Sequence, residues 1–222
     1  MHRFLRGAVV AAALIVGPAL APAAEDMTAE NAQKLIFESS HLDLVSKGRE
    51  VTYHYEHQVS DEQRLGKPYS DDIRLSVVKV DAEGKRDVKM QIFFKELARN
   101  PWSETGITLN PIFIWFLNNS VNQFKSLSAG GEFSDLKNRF KIGFYEDAKL
   151  EDVKVTFEGK DVDAYKLTIM PYARDANARK MDGYERSTFV VTFSPSIPGY
   201  FFDLVANIES RKNNYPKVVE RV

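Results

Sequence analysis

Residues 51–59 read VTYHYEHQV, and apolar or aromatic side chains occupy every second position of this stretch. A period of two is typical of a strand with one buried face and one solvated face. The same alternation recurs at residues 73–80, 88–94, 140–144, 153–157, 165–169, 189–193 and 200–208. About eight strands are therefore predicted, and the change of phase after Val77 predicts a β-bulge or an exchange of faces.

Most links between these segments are short, such as the turn at residues 158–161. Parallel strands need crossovers of a dozen residues or more, so the sheet is predicted to be mainly antiparallel. Two helices are expected, one at residues 28–46 with Thr28 as its N-cap and one at residues 111–127 with Asn110 as its N-cap. Threonine and asparagine favour helix starts, and Pro111 suits the first helical position. The predicted fold class is α+β, with a curved, half-barrel-like sheet of about eight strands covered by two helices.

The first residues have the layout of a secretory signal peptide. Two arginines precede an apolar run at residues 8–16, and small residues at 19–24 lead into acidic positions. The apolar run is shorter than the roughly 20 residues that span a bilayer. We expect cleavage after Ala23 or Ala24 and a periplasmic location for the exported protein.

The expected domain organisation is a signal peptide at residues 1–23 and a single exported domain at residues 24–222. Residues 211–222 are expected to form a flexible tail, in which residues 216–219 are the alternative for an edge strand. The sequence contains no cysteine, which excludes disulfides, thiolate metal sites and a cysteine nucleophile. Its 30 basic and 31 acidic residues are interspersed and give a net charge of −1. This balance does not favour nucleic acid as a partner. No second segment is apolar enough to span a membrane.

Histidine and carboxylate side chains cluster only in the strand at residues 53–57. There His54 and Glu56 share one face, whereas His57 points to the other face with the tyrosines. No third ligand can be named, so no metal site is predicted, and no cofactor is expected. Motifs for a serine nucleophile, a zinc hydrolase or a phosphate loop are absent. The protein is therefore expected not to be an enzyme.

The 15 phenylalanines and 9 tyrosines form either a packed core or the lining of an apolar cavity between helix and sheet. In the helix at 111–127, one stripe is the ordinary core, whereas Ile112 and Trp115 lie on another face. If a cavity exists, the predicted ligand-binding residues are Ile112, Trp115, Phe116, Tyr53 and Tyr55.

The order of elements over residues 28–210 resembles the periplasmic lipoprotein-carrier (LolA-like) architecture, in which a half-barrel wraps helices around a lipid-binding cavity. The segments NPIFIW at 110–115 and SIPGY at 196–200 also resemble signatures of a bacterial exported protein family without characterised chemistry. The resemblance to the carriers implies a lipid ligand.

Three functions follow as hypotheses. The first is a periplasmic, non-enzymatic binding protein that holds a lipid or another apolar ligand, and a dry cavity would favour it. The second is a structural or assembly protein of the envelope that binds a protein partner, and an exposed apolar patch would favour it. The third is a hydrolase, which requires a cleft that joins His54 to two carboxylates.

Overall fold

A computed structural model describes residues 29–146 and 148–222 of the chain. This part forms one nine-stranded antiparallel sheet and four α-helices, which confirms the predicted α+β class with a curved, unclosed sheet. The strands are β1 Glu50–Val59, β2 Tyr69–Val80, β3 Arg86–Ile92, β4 Trp102–Ile107, β5 Lys149–Phe157, β6 Lys160–Ile169, β7 Thr188–Phe193, β8 Phe201–Ile208 and β9 Val218–Arg221. The helices are α1 Ala29–Phe37, α2 Glu62–Leu65, α3 Pro111–Leu127 and α4 Phe133–Glu146. The signal peptide, its cleavage positions and Thr28 lie outside the described residues.

The strand order in the sheet is β4-β3-β2-β1-β9-β8-β7-β6-β5. Strands β1 to β4 pair as successive neighbours, and so do strands β5 to β8. The short strand β9 joins the two halves by pairing with β1 and β8. Since β4 and β5 are the two edges, the segment that holds α3 and α4 connects one edge of the sheet to the other.

The alternation in β1 determines which side chains the sheet buries. Tyr53, Tyr55 and His57 are buried, whereas Thr52 and His54 on the opposite face are exposed. The predicted bulge is confirmed, because the register between β2 and β3 shifts between Val77 and Lys79.

Aromatic rings attach the helices to one face of the sheet. Phe113 of α3 stacks on Phe201 of β8 with ring centroids 4.9 Å apart. Phe140 of α4 meets Phe189 of β7 at 4.5 Å. Phe37 of α1 lies 5.8 Å from Phe113 and 5.3 Å from Phe144, so α1 packs against both α3 and α4. No helix in the described part of the chain has the length and apolar character needed to cross a membrane.

The prediction of a strand at residues 140–144 is wrong, because this segment belongs to helix α4. Phe140 and Phe144 are spaced both as alternate strand positions and as neighbours one helical turn apart. Leu136, one turn earlier, is buried with them and completes a helical stripe. Gly143 allows close packing, since a Cβ at this position would lie 2.9 Å from the Cβ of Pro171.

The first helix is shorter than predicted and ends at Phe37 instead of residue 46. The chain then turns so that the His41 backbone N–H donates to the Thr108 carbonyl at 3.0 Å. Leu42 and Val45 are buried without helical structure. The apolar character of Leu42 and Val45 therefore reflects burial in the core and not helix formation.

Strand β3 also ends earlier than predicted. The Asp71 carboxylate accepts hydrogen bonds from the N–H groups of Phe94 at 3.1 Å and Lys95 at 2.9 Å. Phe93 adopts a positive φ of 59° and is buried, whereas Phe94 is 45% exposed. Burial acts to raise the pKa of Asp71, but backbone donors outweigh that effect and lower this pKa.

Strand β4 was not predicted, and strand β9 lies at a different place in the sheet from the one predicted. Strand β4 falls in a segment to which no strand was assigned, because an edge strand with five exposed residues shows no alternation. The tail at 211–222 was expected to be flexible, with at most an edge strand, yet β9 lies in the middle of the sheet. Glu220 of this strand is fully buried and accepts a hydrogen bond from the Tyr55 hydroxyl of β1.

Candidate functional site

The start of α3 is fixed by the buried side chain of Asn110. Its Oδ1 accepts a hydrogen bond from the Ile112 N–H at 3.1 Å, as expected of a helix cap. Its Nδ2 donates to the Tyr53 hydroxyl at 2.6 Å and to the Gly199 carbonyl at 2.7 Å. Gly199 has a φ of 81°, and a Cβ there would lie 2.3 Å from the Tyr53 hydroxyl. Tyr53, a predicted ligand residue, thus positions the helix, and burial raises its pKa.

Three other predicted ligand residues lie in a closed core. Ile112 and Tyr55 have 0% of their surface exposed, and Phe116 has 1%. A side chain that lined a cavity large enough for water would show more accessible surface than this. The structure therefore does not support a cavity-lining role for Ile112, Phe116 and Tyr55, which pack as core residues.

Trp115 is half-buried and lies in an aromatic cluster between α3 and the sheet. Its ring centroid is 5.5 Å from that of Tyr55 and 5.9 Å from that of Phe93. Tyr69 lies 5.7 Å from Tyr55 and stacks on His57 at 4.9 Å. Of the predicted ligand residues, the structure thus brings Tyr55 and Trp115 together, in edge-to-face packing that aromatic rings prefer.

A buried polar network lies beside this cluster and centres on Glu220 of β9, which is fully buried. Its Oε1 accepts hydrogen bonds from the Tyr55 hydroxyl and the Asn119 amide, both at 2.7 Å. Its Oε2 accepts from the Ser120 hydroxyl at 3.4 Å, and His57 Nδ1 lies 3.5 Å from Oε1. The network joins β1, α3 and β9, and a buried carboxylate requires such partners.

An apolar groove, here called the α3 groove, follows the solvent side of α3. A depression of about 360 Å³ lies between β4 and the start of α3, and one of about 100 Å³ lies between α1, α3 and α4. Ile114 lines both depressions and is 41% exposed. The other apolar side chains of the groove are Trp102, Ile107, Leu109, Pro111, Phe37, Leu117, Val121 and Phe140.

One end of the α3 groove is basic. Lys137 and Lys141 line it from α4, where their spacing of four residues places them on one helix face. Neither lysine has an ion-pair partner in the described part of the chain. Asn118 lines the same depression, and its buried Oδ1 lacks a hydrogen-bond partner among the described residues. An apolar floor that ends at two lysines without ion-pair partners among the described residues suits an amphipathic anion.

A larger cleft of about 550 Å³, here called the sheet cleft, lies where β1 and β8 part. Strand β9 pairs with β1 only over residues 56–59, so the two longer strands separate beyond Arg221. Tyr53 and Phe201 line the cleft together with polar and charged side chains, which include His54 and Glu56.

His54 lines the sheet cleft with Glu56, whereas its other close carboxylate, Asp72, is not among the lining residues of the cleft. His54 Nδ1 lies 2.9 Å from Asp72 Oδ1, and its Nε2 lies 3.9 Å from Glu56 Oε1. However, the His54 and Asp72 side chains are 58% and 51% exposed. Water screens such charges, whereas a tuned acid–base pair needs burial or a dominant neighbouring charge. The arrangement is that of a solvated cross-strand pair.

None of the predicted ligand residues lines the α3 groove, and the missed lining residues include Ile114, Lys137 and Lys141. In the run PIFIWFL every residue is apolar, so hydrophobicity could not show that Ile114 is the one that faces out. Lys141 was obscured because residues 140–144 were predicted as a strand, and Lys137 just before it was assigned to no element. The spacing of four between them is the signal that a helical interpretation would have used.

Comparisons with known proteins give no relative. No protein-family model matches the chain, and no curated protein or solved structure shows significant similarity to it. In the residues that the structure describes, no group of three or more histidines and carboxylates could hold a metal ion. A function is therefore best argued from the geometry of the α3 groove.

Proposed function

We propose that this protein is a non-enzymatic binding protein of the periplasm that holds an apolar ligand with an anionic head group in the α3 groove. A fatty acid is the simplest ligand of this class. The observation that carries the proposal is the apolar floor around Ile114, which ends at the side chains of Lys137 and Lys141.

The size and lining of the groove support a small apolar ligand. Its larger depression, about 360 Å³, falls within the range of roughly 300–1,000 Å³ that is common for ligand pockets. An acyl chain laid over Ile114 and Trp102 would remove exposed apolar surface from water, which stabilises a complex by about 25 cal/mol per Å². The carboxylate would then meet the two lysines.

The resemblance to the lipoprotein carriers adds support at the level of architecture, since both combine a curved sheet with covering helices. The proposed ligand position differs, however. Because α3 packs tightly against the sheet, the space for a ligand lies on its outer side. The signal-peptide layout of residues 1–24 supports the proposed periplasmic location.

Oleate is expected to bind and to shift the emission of Trp102 to shorter wavelength, because the acyl chain would cover this exposed ring. Trp115→Phe isolates that signal, since the chain has only two tryptophans. Ile114→Glu should weaken oleate binding at least about tenfold, because it places a carboxylate in the apolar floor. Asn122→Glu is the matched control, because it introduces the same glutamate at an exposed position of α3 that does not line the groove.

The head group is tested with the double variant Lys137→Gln/Lys141→Gln. It should weaken oleate binding and leave the binding of uncharged oleyl alcohol unchanged. Absence of an emission shift with both ligands, or equal loss in Ile114→Glu and Asn122→Glu, would contradict the proposal. The exposed edge strand β4 would then favour the second hypothesis, a protein partner that adds a strand.

A further inference from the structure

A separate cleft of about 460 Å³, here called the basic cleft, lies between the loop at residues 171–187 and the link from β8 to β9. Four cationic side chains line it, and Glu185 is its one acidic lining residue. The cations are Arg179, Arg186, Arg211 and Lys212. This concentration of positive charge contrasts with the net charge of −1 of the whole chain.

Two of these cations already have partners. Arg211 contacts the buried carboxylate of Glu185, and Lys212 Nζ lies 2.8 Å from Asp182 Oδ1. Arg179 and Arg186 are exposed, and the side chain of neither forms a hydrogen bond or an ion pair within the described residues. The two guanidinium groups therefore leave positive charge in the cleft that no side chain of its lining compensates.

The walls of the basic cleft are tied together by buried and half-buried hydrogen bonds. The Tyr184 hydroxyl donates to the Pro216 carbonyl at 2.6 Å, and the Arg211 N–H donates to the Gly183 carbonyl at 3.1 Å. Ser210 Oγ donates to the Asp182 carbonyl at 2.6 Å. A cleft with walls held in this way can bind a ligand without first ordering two loops, which favours affinity.

We propose that the basic cleft binds the phosphate group of a small molecule or of a lipid head group. Arginine presents a planar set of donors that matches phosphate oxygens in pairs, and two unpaired arginines supply two such sets. The cleft is larger than a single phosphate needs, so the phosphate would carry an organic group or a second phosphate. This site is independent of the α3 groove, because the two share no lining residue.

Calorimetric titration with inorganic pyrophosphate at low ionic strength tests the basic cleft. The wild-type chain should bind pyrophosphate. The double variant Arg179→Gln/Arg186→Gln should weaken this binding about tenfold or more, since each of its two substitutions removes a charge-assisted contact. Lys180→Gln/Lys160→Gln is the matched control, because it removes two exposed positive charges outside the cleft. All four positions are exposed, so the variants should keep the thermal stability of the wild type.

Flotation with phosphatidylcholine vesicles that contain phosphatidic acid separates the two sources of phosphate. Vesicle binding that is lost only in Arg179→Gln/Arg186→Gln assigns the cleft to a lipid head group. Pyrophosphate binding without vesicle binding assigns it to a free phosphate compound. The proposal is overturned if neither probe binds the wild type, or if both double variants weaken binding equally.

Discussion

Replacement of Phe116 by alanine is expected to lower the free energy of unfolding by about 3–5 kcal/mol, which is the usual cost of removing a buried aromatic ring. Phe116 is 1% exposed and lies in the central core between α3 and the sheet. Truncation removes its apolar contacts and leaves a cavity that the surrounding side chains cannot fully close. Since domains are stable by only about 5–15 kcal/mol, this loss would be a large fraction of the total.

Urea denaturation of the wild type and variant measures this effect. His54→Ala is the control, because its side chain is 58% exposed and such changes usually stay within about 0.5 kcal/mol. An unchanged slope of the unfolding free energy against urea concentration would show that both proteins undergo the same unfolding transition. If His54→Ala cost more than Phe116→Ala, the assignment of buried and exposed faces would be incorrect.

Replacement of Glu220 by alanine is expected to destabilise the protein by a similar amount, about 3–5 kcal/mol. The change leaves the Tyr55 hydroxyl and the Asn119 amide without their acceptor in the core. Unpaired buried groups of this kind cost about 1–3 kcal/mol each. Because Glu220 also holds β9 between β1 and β8, the loss should weaken the junction between the two halves of the sheet.

Glu220→Gln is expected to cost less, because it keeps the side-chain volume and one acceptor oxygen. Glu209→Ala serves as the exposed control, since its ion pair with Lys217 lies at the surface and should contribute no more than about 1 kcal/mol. Hydrogen exchange of β9 amides would locate the effect. A Glu220→Ala variant as stable as Glu209→Ala would show that the network does not hold β9.

Local signals in the sequence predicted the parts of the fold that depend on neighbouring residues. The cap at Asn110 and the proline after it predicted the start of α3 at the observed residue. Strict alternation predicted β1, and the phase change after Val77 predicted the bulge. In these segments, propensity and periodicity agree with the tertiary structure.

The errors lie where distant partners decide the structure. Strand β9 is short and charged. We expect its central place in the sheet to depend on the hydrogen bond between Tyr55 and Glu220, which are 165 residues apart in the sequence. Helix α4 was misjudged because Phe140 and Phe144 fit both periods. The candidate groove was missed because its lining combines side chains of α1, β4, α3 and α4, which no local pattern in the sequence brings together.

Native mass spectrometry of the protein isolated from the periplasmic fraction tests the central proposal most directly. We predict a chain that begins at Ala24 or Glu25 and carries a non-covalent adduct with the mass of an acyl-chain anion. The adduct should be retained by Asn122→Glu and absent from Ile114→Glu. An intact chain that begins at Met1, an adduct-free wild type, or an adduct that Ile114→Glu retains in full would contradict this account.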